Sequence, residues 1–430
     1  MPPDPAFALV PARHCFSVGI VDFFLRLVTE AATSLRGAAA VLRLCARYLP
    51  CTGRTPVWNS GRWWLLRVGL FALRAQPARG DDWVWMMDHT VQLGPWKCLV
   101  VLGIRLSAWA DDRRPLRHED MTLLNLTPME QSSGETVCRQ LQATTAKTGV
   151  PCAVLSDGGT DLKRAMELFQ ADHPHVPHVR DLKHAHARLL KRELEQDGRW
   201  QSFVTKVNQT KLGVTQTALA FLNPPALKTK ARYMNLDTLV TWGGQALAYL
   251  DHPRDFPHQR VDRRKLWAKL GWLRPYRRAL QRWAELLSLA RAAEDYVHHE
   301  GLHARIGDAL RQRLQPLVAT AAGRRFRDAQ LQFLQQQSQS LATGERMLGS
   351  TEVLESIIGK YKRLQSTHSK GGMTAMLLGM GAIVGKPTTA TLAKALATIR
   401  TQDVIDWCRQ TFGTTTASQR KLAFSATKPG

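Results

Sequence analysis

Acidic residues are scarce in this chain of 430 residues. Asp and Glu total 35 against 59 Lys and Arg, which leaves a formal net charge of +24. A chain this basic calls for a polyanionic partner. Nucleic acid is the commonest, and an anionic membrane surface is the rival. Long apolar runs are missing as well. A bilayer-spanning helix needs ~18 to 20 consecutive apolar residues, and the longest apolar segment, MTAMLLGMGAIVG (373–385), is short and Gly-rich. No membrane partner is therefore expected. Cysteine is sparse and scattered: Cys15, Cys45, Cys51, Cys98, Cys138, Cys152 and Cys408, odd in number and without a CxxC pair. That argues against a disulfide framework and against a cysteine-built zinc site. The opening MPPDPAFALVPARHCF lacks the basic, apolar, small-residue succession of a secretory signal. A reducing cytosol is the expected setting. No internal repeat stands out.

What is present reads as globular. Hydrophobic residues make up 44% and charged residues 22%, enough apolar content for two or three domains with real cores. Residues 17–49 contain two helical runs separated by ATS, a cap signal before LRGAAAVLRLC. A third helix is expected over 55–75, carrying Arg62, Arg67 and Arg74. Three short helices with small residues at the turn fit a helix-turn-helix DNA-binding domain over 13–76, or an ordinary helical packing domain. QPARGDD (76–82) reads as a linker.

The texture then changes. WVWMMDHT (83–90), KCLVVLGIRLSAW (97–109) and PCAVLSDGG (151–159) read as buried strands. Helices are expected over 134–149 and 160–172, and HVPHVRDLKHAHARLLKREL (175–194) as a short strand passing into a helix. This alternation makes a mixed α/β sheet over 82–194. From 195 to 345 strand signals vanish, and an all-α insertion is expected. The α/β core should resume over 346–412, because the helix read there needs a sheet to pack on. Residues 413–430 read as a flexible tail.

Three positions carry chemistry. Asp88 ends the first strand, on the face of Val84 and Met86. Asp157 ends AVLSD and precedes Gly158 and Gly159. Each alone fits a turn former or a helix cap. Together, at the carboxyl ends of neighbouring strands, they are placed to share a divalent ion, and oxygen-only ligands favour Mg²⁺ or Mn²⁺ over Zn²⁺. STEVLESIIGKYKRL (350–364) supplies a third carboxylate. On a helix, Val353, Leu354, Ile357, Ile358, Tyr361 and Leu364 form an apolar arc, and Glu352, Glu355, Gly359 and Lys362 lie opposite. Either that second arc is a solvated face, or a glutamate completes a two-metal site of the kind used in phosphodiester chemistry. In the second case Gly359 admits a nucleic-acid backbone and Lys362 meets a phosphate.

In that order, strand-ending Asp, strand-ending Asp-Gly and helix-borne Glu resemble the Asp-Asp-Glu transposases with a ribonuclease-H-like core. Six residues separate Glu355 from Lys362. This is similar to the Glu-(6)-Lys half of the Tyr-(2)-Arg-(3)-Glu-(6)-Lys signature of bacterial insertion-sequence transposases. The first half departs, with Leu348 and Thr351 at the Tyr and Arg positions. The resemblance covers 83–194 and 345–365, with looser support over 17–75. It implies a ribonuclease-H-like catalytic core interrupted by the all-α insertion, cutting DNA and transferring strands with two Mg²⁺ or Mn²⁺ ions. Asp88, Asp157 and Glu355 would be the catalytic metal ligands, with Glu352 the rival to Glu355. It further implies double-stranded DNA as partner, at element ends and target. A homodimer or larger assembly and a bacterial, nucleoid-associated location go with it. Asp181 and His184 resemble the Cys/Asp-x-x-His pattern that follows the second Asp in some transposases. They would support the metal site or contact DNA; a helix cap with exposed histidines is the other reading. Asp181 and Asp88 are also rivals as metal ligands, and His89 reads as structural. A DNA-binding relative without cleavage, and a ribonuclease-H-like nuclease without strand transfer, remain the alternatives.

The insertion carries RVDRRKLWAKLGWLRPYRRALQRW (260–283). Arg263, Arg264, Arg277 and Arg278 would neutralise phosphates, and Trp267 would stack on a base. The other reading is an amphipathic helix pair with tryptophan in its core. KTKARYMNL (228–236) is a second basic stretch.

Overall fold

The computed structural model describes residues 5–48, 54–93, 96–112, 114–226, 236–252, 261–367, 373–385, 387–414 and 416–425. Most of the basic stretch 228–236, and Arg260, lie outside them. The chain divides into two units, residues 1–179 with 351–430, and residues 180–350.

The first unit opens with the three helices read from the sequence. Ser17 caps α1 (Val18–Thr29), which buries Val18, Val21, Phe24, Leu25 and Val28 at helical spacing. Ser34 accepts the Gly37 N–H at 3.0 Å and starts α2 (Leu35–Tyr48). In α3 (Trp58–Arg74) Trp64 lies edge-on to Phe24, with ring centroids 5.6 Å apart.

The sheet follows. β1 (Trp83–Leu93) pairs antiparallel with β2 (Trp96–Arg105). The sequence predicts this second strand as far as Trp109, but the chain turns at Arg105 into α4 (Leu106–Asp112). Asp82 makes the turn. Its carbonyl accepts the Leu106 N–H at 2.8 Å, and its carboxylate accepts the Ser107 hydroxyl at 2.6 Å and pairs with Arg105.

β3 (Thr122–Met129) was not read from the sequence. A register shift between Val101 and Leu102 breaks the alternation along the strand, so its period of two is hidden. It lies at the sheet edge, where Pro128 is tolerated. Next come α5 (Gly134–Thr148), β4 (Ala153–Ser156), α6 (Thr160–Asp172) and β5 (His178–Arg180). The strand order is β3-β2-β1-β4-β5, with β1 and β4 parallel. One face is sealed by α5 and α6. Trp85, Met87, Leu99, Val101 and Val154 pack there on Val137, Leu141, Leu162, Met166 and Phe169.

The second unit consists of α7 (Leu182–Glu195), α8 (Gly198–Val214), α9 (Leu236–Asp251), α10 (Arg263–Leu270), α11 (Arg277–Glu300), α12 (Ile306–Leu314) and α13 (Ala321–Ser338). Among its described residues β structure is limited to the end of β5 and an isolated bridge between Leu302 and Met347. Trp200, Phe203 and Trp283 form an aromatic centre, with Trp200 edge-on to Trp283 at 4.9 Å.

The chain returns to the first unit in α14 (Glu352–Ser366), α15 (Gly379–Ile383), α16 (Thr389–Thr398), α17 (Thr401–Phe412) and α18 (Thr416–Ser425). The apolar arc of α14 is buried as the sequence required: Val353, Leu354, Ile357, Ile358, Tyr361 and Leu364. Helix α3 packs against α15, α16 and α17. A Cβ on Gly69 would stand 1.7 Å from the Leu378 carbonyl oxygen, so this crossing requires glycine. Among the described residues no helix is long and apolar enough to cross a membrane, and the six described cysteines are free thiols.

Candidate active site

Register brings two of the predicted carboxylates side by side, with one difference from the expectation: Asp157 follows the end of β4, but Asp88 does not end β1, because pairing with β2 carries that strand on to Leu93. In the parallel β1–β4 pair the last partners are Met87 and Ser156. Asp88 and Asp157 are the next residue on each chain. Asp88 is half-buried, and its Oδ1 accepts the His89 backbone N–H at 2.6 Å. Asp157 is half-buried in the loop into α6, and its Oδ1 accepts the Gly159 N–H at 2.8 Å. Gly158 has φ of 76°, which a side chain would resist, so the Asp-Gly pair is dictated by the turn.

The helix of the third carboxylate packs on the sheet's other face. Alternation sends Trp85 and Met87 towards α5 and α6, and Val84, Met86 and Asp88 to the opposite side. On β2 the residue opposite Asp88 is Val100, and Cys98 shares its side. Helix α14 packs against β1. Burial pushes the Tyr361 hydroxyl far above the usual tyrosine range, and the Cys98 thiol adds to the effect. Tyr361 therefore faces that same side. Asp88 and the helix bearing Glu355 share one face of the sheet. Glu352 and Glu355 are half-buried in the first turn of α14, and Lys362 is exposed further along. A Cβ on Gly359 would meet nothing within 4 Å, so that arc borders open space.

A hydrogen-bonded network beside these two carboxylates has no motif in the sequence. The Asp161 carboxylate, in the first turn of α6, accepts from Ser132 Oγ at 2.7 Å and from Lys97 Nζ at 3.1 Å. Ser132 Oγ also lies 3.0 Å from His89 Nε2. Burial raises the Asp161 carboxyl, but Ser132, His89 and Lys97 outweigh it and hold its pKa below the usual carboxylate value. Burial lowers the His89 pKa, with Lys97 adding to that and Asp161 and Asp157 opposing it. These contacts tie β1 at His89 and the start of β2 at Lys97 to the helix that follows the Asp157 loop. The one local signal was an acid just inside a helix start.

In the second unit, Asp181 is the N-cap of α7. Its fully buried carboxylate accepts the His184 N–H at 2.8 Å and lies 3.0 Å from His184 Nδ1. Buried His186 pairs with Glu294 at 2.7 Å.

The basic positions divide by environment. Arg67 is half-buried, with its guanidinium donating to the carbonyls of Leu396 and Ile399, which close α16. Arg62 is half-buried beside Trp63. Arg263, Arg264 and Arg278 are exposed, and Arg277 pairs with Asp251. Of the aromatics in 260–283, Trp283 and Tyr276 are buried, and Trp272 donates to Thr210 Oγ1 at 2.8 Å. Trp267 is 44% exposed, with the Arg274 guanidinium 4.2 Å from its ring centre.

No protein-family model and no curated protein matches the sequence. Among solved structures, the chain is similar to the Drosophila P element transposase strand transfer complex. The TM-score is 0.44 and the identity 11%, over 88% of this chain and 94% of that one. A likeness this slight carries neither a fold nor an activity across.

Proposed function

We propose that this chain is a DNA transposase of the Asp-Asp-Glu type, with a ribonuclease-H-like core that cleaves DNA strands and joins them to a target. The observation that carries the reading is the β1–β4 register, which sets Asp88 of β1 beside Asp157, just past the end of β4, on a sheet whose other face packs the Glu355 helix. Asp88, Asp157 and Glu355 are the metal ligands in this reading. Their donor set suits Mg²⁺ or Mn²⁺, being carboxylate oxygen throughout. When bound, two such ions would supply Lewis-acid polarisation of a phosphodiester and activation of a water or 3′-hydroxyl.

The protein's own part is placement. The Gly158 turn fixes the Asp157 backbone, and the Lys97–Asp161–Ser132 network anchors the helix behind it. Lys362 and the open arc at Gly359 receive the DNA backbone. The proposal extends to Asp181 and His184 as supporting groups. Exposed Arg263, Arg264 and Arg278, with Trp267, form a second DNA surface on the helical insertion. Paired element ends call for a dimer or larger assembly, working at the nucleoid.

The test is nicking of supercoiled plasmid in Mg²⁺ or Mn²⁺ at low salt, beside Asp157→Ala, repeated with the native flanking DNA. Metal-dependent nicking that the substitution abolishes, with DNA binding retained, supports the reading. Tight binding with no cleavage on either substrate refutes it in favour of a DNA-binding relative.

A further inference from the structure

A cavity of about 770 Å³ lies within the first unit, between the N-terminal helices and α17. Its lining includes Arg36, Arg62 and Arg409 together with Trp58 and Trp63, and among the described residues no carboxylate. Arg409 pairs with Asp406 at 3.6 Å. Arg36 and Arg62 are held instead against rings: the Arg36 guanidinium is 5.6 Å from the Trp58 ring centre, and that of Arg62 is 5.2 Å from Trp63. Arg36 is exposed and Arg62 half-buried. Burial draws the Arg62 pKa down from its ordinary value, which is what a guanidinium in a recess without a carboxylate experiences.

A concave site of this size, lined by cations and aromatic faces, has a definite preference. Guanidinium groups bind phosphate oxygens in bidentate fashion. Indole faces stack on bases with little sequence preference. A carboxylate ligand would use the arginines but leave the rings idle, and an apolar ligand would leave the arginines unpaired. We propose that this cavity binds a nucleoside phosphate, its phosphate on Arg36 and Arg62 and its base against Trp58 or Trp63. The ligand is either a free nucleotide or a nucleotide of a DNA strand. This inference stands apart from strand cleavage, since the cavity binds or fails to bind whether or not the chain cuts DNA.

The test is calorimetric titration of the full chain with dAMP, and with deoxyadenosine and inorganic phosphate as the two halves of the ligand. A 15-mer single strand carrying 5-bromouracil is cross-linked in parallel and the adducts are mapped. Arg36→Gln and Arg62→Gln are compared with wild type. Arg36 is exposed, so its variant keeps the fold, and a thermal melt checks both. Saturable dAMP binding, at least tenfold tighter than either half and weakened at least tenfold in both variants, supports the site with a free nucleotide as ligand. Cross-links at Trp58 or Trp63 that both variants lose, without dAMP binding, support it with DNA as the source. Inorganic phosphate binding as tightly as dAMP, variants that bind like wild type, or neither binding nor cross-links would each overturn it.

Discussion

Asp197 joins three things at one carboxylate, and its removal has a size that follows from the structure. It is the N-cap of α8 and accepts the Arg199 backbone N–H at 3.2 Å. It also accepts the Trp283 indole N–H at 2.9 Å and pairs with Arg282. Its side chain is 13% exposed, and Trp283 is 2% exposed. In Asp197→Ala the lost cap costs about 1 kcal/mol. The stranded indole N–H costs about 1 to 3 kcal/mol. The Arg282 pair adds less than about 1 kcal/mol, because Arg282 is 35% exposed and solvent screens it. The expected loss is about 3 kcal/mol, or about 6 to 12 °C in the melting of a unit of this size. Urea unfolding followed by tryptophan fluorescence measures it. In a Trp283→Phe background the same substitution should cost about 1 to 3 kcal/mol less, since no indole is stranded. A cost under about 1 kcal/mol, or an equal cost in both backgrounds, refutes the reasoning. The pH dependence has a definite sign. Burial raises the Asp197 carboxyl, but the bonds from Arg282, Arg199 and Trp283 outweigh it, so the folded pKa lies below the unfolded one. The stabilisation is complete above the unfolded value of about 3.9 and is lost as pH falls through the folded value. Asp197→Asn should lack that acid-side loss.

Four further outcomes are expected. Asp161→Asn takes the carboxylate charge from Lys97 and Ser132 behind the Asp157 loop, and should lower plasmid nicking about 10- to 100-fold with DNA binding unchanged; unaltered nicking would remove the network from the site. Gly69→Ala drives a Cβ into the Leu378 carbonyl and should cost about 3 kcal/mol in a thermal or urea melt; a neutral result would mean that α3 does not cross there. Tyr361→Phe deletes a buried hydroxyl with no hydrogen-bond partner among the described residues, and should gain about 1 kcal/mol in the same melt; a loss would reveal a hidden partner. Arg263→Gln with Arg264→Gln should flatten the slope of log binding constant against log salt by about 1.8 in filter binding to duplex DNA; an unchanged slope would take these two arginines off the DNA.

Local structure and the type of chemistry are legible in the order of residues. Helical spacing fixed α1, α2, α3 and α14, because one apolar face of each must be buried. Alternation put Asp88 on the face away from Trp85 and Met87 before any partner was known. The Asp-Gly pair announced the turn after β4. Charge alone pointed to a polyanion. What lies between elements was not legible. β3 was hidden because a bulge set in its ladder breaks the period of two. The Lys97–Asp161–Ser132–His89 network joins residues up to 72 positions apart (161 − 89), and no spacing rule relates them. From the sequence, Arg67 is expected to contact DNA from the third helix, but tertiary packing turns its guanidinium onto the carbonyls that close α16. The cavity of Arg36 and Arg62 exists only because chain from beyond residue 360 closes over the N-terminal helices. Periodicity records which face an element must bury; only tertiary packing chooses the partner, because that choice depends on groups far away along the chain.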